Sequence, residues 1–167
     1  MQLTRFTDIG LRIVMRLAVA GEQPSDTTPM TTKDLARELA VPYTHVAKVV
    51  GRLAEMGAVH SRRGRAGGLA ITDLGREAQI GWLARTLEGP GEVVDCEGSQ
   101  PCPLRSACRL RGALARAQRA FFDSLDEHTV ADLVRDPTGA VLLSLSPPPP
   151  APPTDDAPGN RHLPQHR

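Results

Sequence analysis

The stretch from Gly89 to Cys108 constrains this chain more than any other, because it cannot be a regular helix and yet holds every cysteine. Gly98, Pro101 and Pro103 break helical hydrogen bonding there. Five residues separate Cys96 from Cys102, and five separate Cys102 from Cys108. The thiols therefore sit on a loop that can fold around one centre. An odd number of cysteines within thirteen residues argues against a disulfide framework. So does the N-terminus, MQLTRFTDIGLRIVMRLAVA, in which Arg12 and Arg16 recur at helical spacing and no small-residue cleavage site is present. It reads as neither signal peptide nor membrane span, and a cytoplasmic location is expected. Zinc sites use four ligands and closer cysteine pairs. Soft thiolates equally suit an iron-sulfur cluster, which a wider, even spacing can wrap. The remaining alternative, three free buried thiols, fits poorly with the surrounding prolines, glycines and charges.

Aromatic residues make up only 3% of the chain, so its core must be built from Leu, Val, Ile and Ala packed between helices. This composition favours a mainly α fold. Thr7 is expected to cap a first helix that turns Ile13, Val14, Leu17 and Ala18 inward, with Arg12 and Arg16 facing away. Gly21 to Thr28 is a polar loop. Thr31 with Asp34 three residues later marks the start of a short second helix carrying Leu35, Ala36 and Leu39. Val41-Pro42 ends it, and a third helix from near Pro42 buries Val46, Val49, Val50, Leu53 and Met56. Thr72 should cap a fourth helix through Leu74, Ala78, Leu83 and Leu87, stopped by Gly89-Pro90. From about Leu104 a long helix places Leu110, Leu114, Ala117, Phe121 and Leu125 in a narrow seam suited to pairing with a second copy of the chain. A last short helix runs through Val130, Leu133 and Val134 and ends before Pro137.

The second and third helices, joined by a tight turn, have the form of a helix-turn-helix, although an ordinary helical hairpin shows the same pattern. The segment just after the third helix favours the helix-turn-helix. Val59 to Ser61 and Leu69 to Thr72 can pair around Arg62-Arg63-Gly64-Arg65-Ala66-Gly67-Gly68, an arginine-tipped wing. Net charge is only +1 over the whole chain, but residues 41–72 carry five cationic side chains against Glu55 alone, a local charge of +4. Tyr43, Thr44, His45, Lys48 and Arg52 are the expected DNA-facing residues of the third helix. Arg62, Arg63 and Arg65 would meet the backbone or a narrow minor groove. The expected architecture is thus a winged helix-turn-helix with a small β-hairpin and a long dimerisation helix. Residues 1–88 form the DNA-binding domain, 89–103 the cysteine loop with Cys108 at the start of the next helix, 104–136 the long helix and a short C-terminal one, and 137–167 a flexible proline-rich tail.

The opening MQLTRFTDIGLR, the segment GRLAEMGAVHSRRGRAGGL after the helix-turn-helix, and the even cysteine triad together resemble the iron-sulfur winged-helix transcriptional repressors that include NsrR and IscR. The resemblance covers residues 1 to about 135. It implies a cluster on Cys96, Cys102 and Cys108, of the 4Fe-4S type with 2Fe-2S as the alternative. It further implies a homodimer through the long helix that binds double-stranded operator DNA. IscR-like members place a histidine three residues after the third cysteine, where this chain has Arg111. NsrR-like members present an aspartate early in the first helix, and Asp8 stands at the matching place. By resemblance, Asp8 would ligate the cluster of the partner subunit, and nitric oxide would be the signal that lifts repression. The alternative within the family is an IscR-like regulator of cluster supply or redox state. Read without the family, Asp8 is an acid favoured by the helix N-terminal dipole, and Asp95, Glu97 and His128 are other fourth-ligand candidates. Leu69 comes after Gly67-Gly68 where an aromatic is frequent, which bears only on wing packing.

Two readings from other classes compete. An enzyme using an open iron site would need an acid-base pair, a phosphate loop or a nucleophile set, and none is evident. A zinc-stabilised DNA-binding protein without a sensing role would lack a visible chromophore.

Overall fold

The computed structural model describes residues 2–22, 29–62 and 67–145. Its elements run α1 (Arg5–Ala20), α2 (Thr32–Glu38), α3 (Tyr43–Glu55), β1 (Val59–Arg62), β2 (Gly68–Ile71), α4 (Asp73–Glu77), α5 (Ile80–Glu88), α6 (Arg109–Leu125), α7 (Val130–Leu133) and α8 (Thr138–Ser144). Among the described residues, no helix is long and apolar enough to cross a membrane.

Helix α1 lies at the centre, in contact with α3, α4, α5, α7, α8 and β2. Its apolar stripe, Ile13, Val14, Leu17 and Ala18, is sealed from solvent as the periodicity requires. Two expectations about it fail. Thr4 rather than Thr7 caps the helix: Thr4 is extended, its hydroxyl accepts the Thr7 N–H, and Thr7 itself is buried in the first turn. Arg16 does not face away either. Its Nε donates to Glu38 Oε2 at 2.7 Å, and both side chains are 3% exposed. A long side chain can cross the helix–helix boundary when a carboxylate waits there. The pair ties α1 to the end of α2.

Thr31 and Asp34 form the anticipated capping box, each side chain bonded to the other's backbone N–H. The α2–α3 turn closes with the Val41 N–H on Ala36 O and the Ala40 N–H on Arg37 O. This is the Schellman arrangement, which puts its C′ residue in the left-handed region. Here that residue is Ala40, at φ +52°. After α3 the same task falls to Gly57, at φ +72°. Strands β1 and β2 pair antiparallel in the register Val59 with Ile71 through Arg62 with Gly68. Thr72 leaves the strand to cap α4, where its hydroxyl accepts the Gly75 N–H.

The single fourth helix expected from Thr72 to Gly89 is broken. Ala78 and Gln79 are extended, Gln79 bridges Thr129, and the Val130 N–H donates to Ala78 O. Backbone partners about fifty residues away in sequence take the bonds that a continuous helix would have made. Leu74, read as a core position, is 57% exposed. Nor does the long helix resume at Leu104: residues 104–107 form turns, and α6 begins at Arg109 with Cys108 as its cap. Helix α8 occupies residues placed in the tail, with Gly139 buried and Leu142 packed on the core. The four prolines at 147–150 lie outside the described residues.

Ala40 carries a Cβ where glycine would carry none, at an exposed site. Ala40→Gly should therefore raise stability by about 0.5–1 kcal/mol, as relief of left-handed strain exceeds the added freedom of the unfolded chain. Urea denaturation would read this as a higher midpoint at unchanged slope.

Candidate metal centre and nucleic-acid interface

Helix α5 ends at Gly89, at φ +79°, and delivers the chain into the cysteine loop. At the other end of the loop, α6 is held to α5 by close packing. A Cβ on Gly81 would collide with the Phe122 carbonyl and the Asp126 carboxylate, so only glycine lets the two helices approach this far. Arg85 closes the contact, lying 5.3 Å from the Phe122 ring centroid and donating to Asp126 Oδ2 at 2.5 Å. The base of α1 joins them through the Thr4 N–H, which donates to Glu88 Oε1 at 2.7 Å. The loop is thus slung between anchored helix ends.

All three cysteines are free thiols, Cys96 buried and Cys102 and Cys108 partly so. The Cys102 N–H donates to Cys96 O at 3.1 Å, which folds the first half of the loop into a compact turn. Cys108 caps α6 with its sulfur, which accepts the Arg111 N–H at 3.4 Å. Burial pushes the Cys96 thiol pKa up, and the nearby Cys102 pushes it further, so a negative sulfur there is disfavoured until a cation joins it. A cleft of about 360 Å³ opens beside Cys96, walled by Pro90, Glu92, Val94, Asp95, Glu97 and Arg111.

Arg111 dominates the electrostatics of this loop. Its Nε and one terminal nitrogen each lie 2.7 Å from Glu92 carboxylate oxygens, and the other terminal nitrogen lies 3.0 Å from Glu97 Oε1. The hydrogen bonds from Arg111 hold the Glu92 carboxyl below its ordinary range and hold the guanidinium more firmly charged. In the sequence Arg111 stands out only as the residue replacing a histidine. Its acidic partners lie 14 and 19 residues away, beyond any local pattern.

Asp8 sits in the first turn of α1 and pairs with Arg12 Nε at 2.8 Å, with the carboxylate side chain 45% exposed. The structure does not gather it with the three cysteines of its own chain. Among the described residues, no three His, Cys, Asp or Glu side chains converge tightly enough to hold a metal ion. In donor chemistry the loop nevertheless fits an iron-sulfur group: three soft thiols, uncommitted to disulfides, on one short stretch of chain.

Helix α3 presents Tyr43, Thr44, His45, Lys48 and Arg52 to solvent, while Val46, Val49 and Leu53 are buried. Arg52 is paired to Glu55 at 3.0 Å. Arg62 belongs to β1 by its backbone, but its side chain, with Arg63 and Arg65, lies outside the described residues. The Leu69 N–H donates to Met30 O at 2.7 Å, which docks the wing against the segment entering α2.

Residues 3–136 match the model of the Rrf2 family, described as an iron-dependent transcriptional regulator. The chain belongs to the Rrf2 family. It is 57% identical over 146 residues to the HTH-type transcriptional repressor NsrR of Streptomyces coelicolor, covering 87% of this chain and 97% of that one. To the HTH-type transcriptional regulator NsrR of Shouchella clausii it is 35% identical over 136 residues, covering 80% and 89%. Among solved structures it is similar to T. potens IscR in fold, with a TM-score of 0.62 at 20% identity over 81% of this chain and 88% of that one. CymR, the global cysteine regulator of B. subtilis, aligns with a TM-score of 0.58 at 25% identity over 80% and 95%. The family and both NsrR relatives are described as transcriptional regulators, and the enzyme reading is set aside.

The Glu92–Arg111 pair should persist to acidities at which free glutamate is protonated. Because the folded pKa lies below the ordinary 4.5, the contribution of the pair is complete above that value and is lost only as pH falls through the depressed one. A carboxyl-carbon NMR titration of Glu92 would show its midpoint below that of glutamate in an unstructured peptide.

Proposed function

We propose that this chain is an NsrR-type repressor that binds operator DNA as a homodimer while an iron-sulfur cluster is held on Cys96, Cys102 and Cys108, and that it releases DNA on exposure to nitric oxide. The supporting observation is the 57% identity to the Streptomyces coelicolor repressor across 97% of that protein. Asp8 of the partner subunit completes the ligand set, and the cluster is 4Fe-4S. When bound, the cluster would supply iron reactive toward nitric oxide, and Asp8 would be its hard, exchangeable ligand beside the three thiolates. The protein acts in the cytoplasm, where its operator lies.

The chain's own residues supply the rest. Leu110, 65% exposed, and Ala117, also exposed, lie on the α6 seam that would pair the two subunits. The exposed side of α3 reads the major groove of each half-site through Tyr43, Thr44, His45 and Lys48, with Arg52 beside them and Arg62, Arg63 and Arg65 of the wing on the backbone or a narrow minor groove. Buried packing of α1 against α3 and α5 gives the sensing loop a mechanical route to the reading head.

Anaerobic purification should yield a brown protein, and replacing Cys96, Cys102 or Cys108 singly with Ala should abolish the chromophore. A variant that keeps full iron and sulfide would remove that cysteine from the ligand set. Wild type should release its operator on nitric oxide addition, whereas Asp8→Ala should alter the dose required. Equal cluster content, operator affinity and dose in the variant would reduce Asp8 to a helix-start acid.

His45→Ala and Lys48→Ala should change the preferred base at contacted positions by about 1–3 kcal/mol, whereas neutralising one wing arginine should weaken all sequences alike and lower the salt dependence. Binding titrations across salt concentrations separate the two behaviours.

A further inference from the structure

We infer that Arg111 is the positioning residue of the cysteine loop, clamping Glu92 and Glu97, which flank Cys96 in sequence, onto the first turn of the helix that Cys108 caps. The inference rests on the proposed ligand role of the three cysteines. It goes beyond that role by assigning the force that shapes the loop before any ligand arrives.

One residue addresses both ends of the triad. Through its backbone N–H, Arg111 meets the Cys108 sulfur at 3.4 Å. Through its side chain it makes a two-pronged contact with Glu92 at 2.7 Å on each prong, and a third contact with Glu97 at 3.0 Å. The Arg111 side chain is 27% exposed and those of Glu92 and Glu97 44% and 62%, so solvent screens the network in part and the two-pronged geometry carries the restraint. Only a planar fork can engage both oxygens of one carboxylate and reach a second acid at once. Closing a loop from residue 92 to residue 111 costs chain entropy, and the clamp meets that cost in the ligand-free chain, leaving less ordering for the ligands to impose. Arg105 stands 4.0 Å from Glu97 and reinforces the contact without the fork.

A competing explanation is that Arg111 supplies only positive charge near three thiols. Lysine keeps the charge and loses the fork, so Arg111→Lys separates the two. The full-length, iron-stripped chain is treated with iodoacetamide, and alkylation at each cysteine is followed by mass spectrometry. With the clamp, Arg111→Lys, Arg111→Gln and Glu92→Gln should each accelerate labelling of Cys96 about fivefold, as expected for loss of a modest local restraint on opening. Cys108 should keep its wild-type rate, since its partner is a backbone N–H. The Arg111→Lys/Glu92→Gln double variant should label no faster than either single one. Wild-type rates in Arg111→Lys, or equal acceleration at all three cysteines, would overturn the assignment. In a second arm the anaerobically loaded protein is challenged with a ferrous chelator, and the same variants should lose iron correspondingly faster. If the wild type carries no iron-sulfur chromophore, the ligand reading fails, while the thiol arm still decides the clamp.

Discussion

Helix α1 is enclosed by other elements along most of its length, and everything else takes its position from that. Ile13, Val14 and Ala18 are wholly inaccessible, and Thr7 and Arg16 are buried on flanks that a surface helix would give to water. A helix of 16 residues spans about 24 Å, enough to run from the cysteine-loop base to the α2–α3 unit. At one end Thr4 bonds Glu88, the last residue of α5. Near the other, Arg16 reaches Glu38, the last residue of α2. Close packing transmits displacement because interiors are dense and have few alternative arrangements. Gly10 shows how tight the fit is, since a Cβ there would lie 2.6 Å from Leu87 Cδ1 on α5 and 3.5 Å from Val49 Cγ1 on α3.

The two electrostatic arrangements attached to this frame differ in kind. Arg16–Glu38 is out of water, so it adds little net stability relative to an apolar pair of equal volume but is expensive to break, at about 3–5 kcal/mol. It fixes orientation. Around the cysteine loop the charges remain partly solvated, and acids cluster: Glu92, Asp95 and Glu97 all lie within six residues. Three thiolates added to those acids would repel one another strongly without a cation. Arg111 offsets part of that repulsion while its side chain engages the acids and not the sulfurs.

Much of this was legible because it is local. The Thr31–Asp34 capping box, the Thr72 cap, the hairpin and the buried stripe of α3 all depend on residues a few positions apart, where periodicity and side-chain chemistry act directly. The three cysteines were legible as a loop for the same reason, since proline and glycine exclude helix there. The departures have non-local causes. Ala78 and Gln79 leave the helix because Thr129 and Val130 supply backbone partners. Arg16 turns inward because α2 brings Glu38 to it. Helix α8 forms beyond Pro137 because α1 provides a surface for it and Leu142 packs on the core, which no window of sequence could reveal. Cys108 serves as a helix cap, a role usually held by oxygen side chains, and so α6 starts later than its apolar pattern suggests.

The ion pairs at the two ends of α1 therefore suit opposite tasks. Asp8–Arg12 joins side chains that are 45% and 55% exposed, one turn apart on the same helix, and a pair of that kind contributes about 0–1 kcal/mol. Exchanging Arg12 for another partner costs Asp8 little, so the carboxylate is available to a cation presented from outside its own chain. Exchange at Arg16 would strand a buried charge and disturb the α1–α2 contact. On the proposed function, this asymmetry lets the exposed end of the helix gain and lose a ligand reversibly while the buried end stays locked to the reading head. Under that proposal, a change of partner at Asp8 would move or free the helix as one body instead of dissipating in local rearrangement, as coupling between a sensor and a distant DNA-reading surface requires.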